Sequence, residues 1–219
     1  MGFGIALFGY ACLLMSGVGG ELFAAILLAY GFFLASRLDN EFLHASISAL
    51  FMIPAGVLNL LEIIGLITPK QAIYPYLNTI TFFLSLAAWL FMSYYWLSSV
   101  IRIANGNNAP KMAQAAKNRL VVTSVYILVS VAVYALKTFD ILGSYASMAE
   151  VAIFILRYVV IFYNIFFLHT CFVLITSEKA GAGEYCEQYQ RDNFFHFFLR
   201  ENFKQLYYKI FIFAREINT

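Results

Sequence analysis

The chain has 219 residues, of which 62% are hydrophobic, 18% aromatic and only 12% charged, and its formal net charge is +2. Globular chains run at roughly 45–50% apolar and about 25% charged residues, and a chain this short has no water-soluble core large enough to hide such a surplus. With a mean hydropathy of +0.77, these proportions point to a bilayer as solvent and exclude a nucleic-acid binder, a disordered tail and a disulfide scaffold.

A helix rises about 1.5 Å per residue, so roughly 20 apolar residues cross ~30 Å of hydrocarbon. Six stretches approach that measure, at 2–18, 21–38, 42–67, 76–103, 120–139 and 148–175. The expected fold class is all-α: a polytopic integral membrane protein of six transmembrane helices plus a C-terminal amphipathic helix. The bundle is expected over residues 1–176, a flexible joint over 177–183 and an interfacial tail over 184–219.

The first two stretches are separated only by Gly17-Val18-Gly19-Gly20 and Glu21, which suits a tight hairpin. No Lys or Arg precedes Arg37, so the first stretch lacks the basic region of a cleaved signal and reads as a retained helix. Ala25 and Ala29, then Gly31 and Ala35, are small residues four apart, a spacing that lets helices approach closely. Cys12, Cys171 and Cys186 show no metal-type spacing. Cys12 and Cys171 read as small buried hydrophobes, with acylation of Cys186 as the other reading.

In the third stretch Pro54 removes a backbone donor and is expected to bend the helix just before Asn59 and Glu62. Asn59 and Glu62, three apart, share one face. Thr68-Pro69 and Tyr74-Pro75 bracket the next loop, and the fourth stretch opens with Asn78, followed on its stripe by Thr81 and Ser85. The run from Asn105 to Pro110 is dense in turn formers and opens a basic loop. The fifth stretch carries Thr123, Ser130, Tyr134 and Lys137. In the sixth, Glu150, Arg157, Asn164 and Cys171 recur every seven residues and form a slowly drifting stripe, leaving Phe154, Ile155, Ile161 and Phe162 to face lipid.

Sidedness follows from the basic residues of the loops. Arg37, Arg102, Lys111, Lys117, Arg119 and the six Lys and Arg of residues 179–215 fall on one side. Only Lys70 and Lys137 fall on the other. Both termini are therefore expected in the cytoplasm, with the plasma membrane as the expected location.

Ionisable groups are costly in hydrocarbon, so each asks for a reason. Arg157 lies near the middle of the sixth span and is expected to reach Glu62. Lys137 and Glu150 are expected to pair across a short loop. Sidedness places Glu62, Asn59, Asn78, Lys137, Glu150 and Arg157 in the outer half of the bundle, as the candidate substrate-binding set. The bland reading is a buried bridge that fixes helix register.

In the tail, Phe195, Leu199, Phe203, Leu206, Ile210, Phe213 and Ile217 follow helical spacing, with basic side chains opposite. Such a helix suits the lipid interface or a groove on a cytoplasmic partner. No nucleotide, zinc-protease or nucleophile-elbow motif occurs, so no cofactor, metal or enzyme activity is expected. The expected function is a solute-binding or transport component with an outward polar cavity. A scaffold or regulatory subunit binding other membrane proteins is the alternative. A lipid-acting enzyme using Asp39, Glu41 and His44 is a third reading. The bilayer is the expected partner, and nucleic acid is not.

Overall fold

The computed structural model describes residues 2–15 and 19–178, and the amphipathic tail, the joint beyond residue 178 and Cys186 lie outside the described residues. The helices are α1 (Gly2–Leu13), α2 (Gly20–Ala35), α3 (Glu41–Leu50), α4 (Ile53–Ile63), α5 (Tyr74–Gly106), α6 (Pro110–Thr138) and α7 (Ala146–Glu178). Among the described residues there is no strand. The chain divides into a unit of Met1–Phe172, described below, and a second of Val173–Thr219 whose described part is the end of α7.

Among the described residues four helical stretches are long and apolar enough to cross a membrane: α3 with α4 (Glu41–Ile63), α5, α6, and the stretch Gly143–Leu174. The helices α1 and α2 are shorter, at 12 and 16 residues, or about 18 and 24 Å. The hairpin between them consumes the difference. Gly19 sits at φ +80° and the Gly20 amide reaches back to the Met15 carbonyl at 3.0 Å, so Leu14, Met15 and Gly19 belong to the turn and not to either helix.

The bend expected at Pro54 is a full break, placed just upstream. Proline cannot donate to the carbonyl four residues back, and its ring crowds that carbonyl, so the helix stops at Leu50. Phe51 and Met52 instead bond three residues back, to Ser48 (3.2 Å) and Ala49 (3.1 Å), a 3₁₀ turn. Pro54 then occupies the first turn of α4, where its missing donor costs nothing.

Three helices end alike. At the ends of α4, α5 and α6 the residues Gly65, Asn108 and Asp140 have φ of +79°, +53° and +54°. The next amide bonds five residues back each time: Leu66 to Leu61, Ala109 to Ala104, Ile141 to Leu136. This is the Schellman closure, which satisfies otherwise orphaned carbonyls. Pro110 follows at once and starts α6. The expected basic loop is thus helical over most of its length: Arg102 lies on α5 and Lys111, Lys117 and Arg119 on α6. Arg119 stacks over the rings of Tyr163 and Phe167 at 4.1 and 4.4 Å.

Connections alternate between two ends of the bundle, called here the Pro69 end and the Arg102 end. Toward the Arg102 end the interior is filled by stacked aromatics. Phe32 lies against Trp96 at 6.0 Å and Phe42 at 6.2 Å, and Trp96 against Phe167 at 5.8 Å. Phe32, Phe42 and Trp96 are completely buried. Outward, Phe8, Leu128, Phe154 and Ile155 are all more than half exposed, a surface suited to acyl chains. Ile161, expected to face lipid, is instead fully buried. It stands four residues from Arg157 and four from buried Ile165, so it continues the stripe that faces the interior.

Candidate functional site

The ionic centre of the bundle forms where α2 starts. Gly56 of α4 lacks a side chain facing Leu22, and a Cβ there would lie 2.5 Å from the Leu22 nitrogen and 2.7 Å from its Cα. This close approach sets α4 against the first turn of α2, one residue from Glu21. Arg157, from α7, donates to Glu21 at 2.5 Å, with side-chain exposures of 26% and 16%. Tyr158, the next residue of α7, donates to the Leu14 carbonyl at 3.2 Å and ties α7 to the same hairpin.

Arg157 therefore pairs with Glu21, not with Glu62 as the sequence reading expects. An acid in the first turn of a helix is favoured by the helix dipole, and the glycine turn brings that acid to the depth of Arg157. Glu62 instead accepts a hydrogen bond from the Tyr74 hydroxyl at 3.0 Å.

Between these groups lies a cavity of about 210 Å³, in the half toward the Pro69 end. It brings together four of the six expected site residues, Asn59, Glu62, Asn78 and Arg157. Thr81 and Ser85 line it as well, along the α5 stripe that Asn78 opens. Glu21, Trp89 and Tyr126 also line it and escaped the sequence reading. Glu21 left a usable signal, an acid directly after Gly-Gly at the head of an apolar helix. The two aromatics left none, because an aromatic at a buried helix position reads first as core.

Lys137 and Glu150 are not in the cavity wall. They form a salt bridge with each other, each side chain 52% exposed. An exposed pair contributes at most about 1 kcal/mol. Lys137→Ala is accordingly expected to leave the melting temperature in detergent within a degree or two of wild type.

At the Arg102 end, Arg102 bridges Asp39 and Glu41, each at 2.7 Å, and His44 lies against Tyr95 with ring centroids 5.2 Å apart. Among the described residues no group of three or more His, Cys, Asp or Glu is placed to hold a metal ion. On the α7 stripe, Asn164 and Cys171 are fully buried, and the Asn164 amide reaches Thr123 Oγ1 at 3.4 Å.

Compared with known protein families, with characterised proteins and with solved structures, the chain matches none.

Proposed function

We propose that this is an integral membrane protein, a solute-binding or transport component whose cavity takes a small polar or charged solute from outside the cell. One observation carries the reading: polar side chains of α2, α4, α5 and α7 converge on a space of about 210 Å³. That is the room of about seven water molecules at ~30 Å³ each. A bridge that merely fixed register would need no such space. The stacked aromatics toward the Arg102 end close the bundle on the other side, an arrangement suited to access from one face at a time.

The basic residues cluster at the Arg102 end, which supports a cytoplasmic placement for that end and for both termini. The short α1–α2 hairpin does not disturb this. Whether it crosses fully or turns back inside the bilayer, it starts and finishes on one side. We read Asp39, Glu41 and His44 as structural, because one guanidinium holds both carboxylates and the exposed imidazole leans on the Tyr95 ring.

A scaffolding role retains one observation of its own. Helix α1 is shorter than the bilayer, yet its Phe8 is 67% exposed, and such a mismatch is relieved by packing against a neighbour. Co-purification of a stoichiometric membrane partner would favour it.

The solute reading is tested by thermal unfolding of the full chain in detergent against amines, amino acids, sugars and inorganic ions. A ligand at a hundred times its Kd stabilises by about 2.7 kcal/mol. At least one solute is expected to raise the melting temperature by several degrees, and Asn59→Leu to abolish the rise. A panel with no effect, or an effect untouched by that substitution, contradicts the reading.

A further inference from the structure

We propose, building on the cavity reading above, that the solute is a small organic cation, an alkylammonium whose charge is met by Glu62. The acidic and basic side chains of the wall are Glu21, Glu62 and Arg157. Arg157 and Glu21 neutralise each other at 2.5 Å. Among the described residues Glu62 is held by the hydroxyl of Tyr74. Among the described residues it makes no ion pair, the four present being Arg102 with Asp39, Arg102 with Glu41, Lys137 with Glu150, and Arg157 with Glu21. Among the described residues the cavity thus carries one carboxylate without a cationic partner, at half-buried Glu62. An anion is disfavoured there and a cation is attracted.

The remaining wall decides which kind of cation. Calcium and magnesium demand six or more oxygen ligands, and the described residues offer no cluster of metal-binding acids or imidazoles. Three aromatic rings, Phe82, Trp89 and Tyr126, line the same cavity. Ring faces attract weakly hydrated ammonium groups, most strongly when water is excluded. The volume of about 210 Å³ fits a small alkylammonium ion.

Choline is a suitable probe. The purified full chain in detergent is titrated at constant ionic strength, with tryptophan fluorescence as readout because Trp89 stands in the wall. Choline chloride is compared with its uncharged isostere, in which carbon replaces the quaternary nitrogen, and with sodium acetate and sodium chloride. A saturable change is expected with choline alone. Glu62→Gln should weaken it at least tenfold, and Asn78→Asp, which adds a carboxylate at an exposed position in the wall, should tighten it severalfold. The second variant decides the matter if the first fails to fold.

Equal response to the uncharged isostere or to sodium, or undiminished affinity in Glu62→Gln, would overturn the proposal. Saturation by the isostere or by acetate would leave a solute cavity with a different ligand class. Failure of all four probes, together with a solute panel that leaves the melting temperature unchanged, would remove both readings.

Discussion

Replacing Arg157 by leucine is expected to destabilise the protein by on the order of 3 kcal/mol, because it strands the Glu21 carboxylate. Removing one partner of a largely buried pair leaves an uncompensated charge, and that costs more than the pair itself contributes. Glu21 is only 16% exposed, so the water of the cavity it lines offsets part of that cost and not all of it. The double substitution Arg157→Leu, Glu21→Leu should recover most of the loss, whereas Arg157→Leu with Glu62→Leu should recover none. Arg102→Leu serves as the comparison. Its side chain is 52% exposed, so its removal opens Asp39 (16% exposed) and Glu41 (30% exposed) to water at the end of the bundle, and the loss there should be smaller, about 1 kcal/mol. Chemical unfolding of the four variants in one detergent reads all of these differences.

The second large effect is expected from one methyl group. In Gly56→Ala the new Cβ would meet the Leu22 nitrogen at 2.5 Å and its Cα at 2.7 Å. These are backbone atoms, so no side-chain rotation relieves the overlap, and α4 must move away from α2. Overpacking of this kind typically costs 1–3 kcal/mol. Here it also widens the space between Glu21 and the Asn59–Glu62 face, so solute binding should fall along with stability. Gly106→Ala is the control, since nothing lies within 4 Å of a Cβ there and alanine is the better helix former. Its melting temperature should equal or slightly exceed that of wild type.

Much of the architecture was legible because long apolar stretches and helix stop signals are local properties of a sequence. The four long helices, the hairpin after Leu13 and the break near Pro54 follow from counting residues and locating glycine and proline. The lengths of α1 and α2 did not follow, because the turn draws its residues from stretches that are apolar throughout. The cavity was legible in part for a similar reason. Asn59, Glu62, Asn78 and Arg157 stand out by polarity alone, and helical spacing assigns them to faces. Pairing was harder, since it depends on how deep each helix sits against its neighbours. Glu21 and Glu62 are both acids near one end of the bundle, and only the close contact at Gly56 and the glycine turn bring Glu21 to Arg157. Ile161 shows the limit from the other direction. A stripe that drifts between lipid and interior assigns no fixed face to an apolar residue beside it.

On the proposed reading, the space between Glu21, Glu62 and Arg157 is expected to be wet and to open outward. Cysteine accessibility tests it directly, in a background with Cys12, Cys171 and Cys186 replaced. Ser85 lines the cavity, while Ser93, two helical turns further along α5, is fully buried. A membrane-impermeant maleimide added to intact cells is expected to label Ser85→Cys and to leave Ser93→Cys unlabelled. No labelling of Ser85→Cys from outside, or labelling only after the cells are opened, would contradict it.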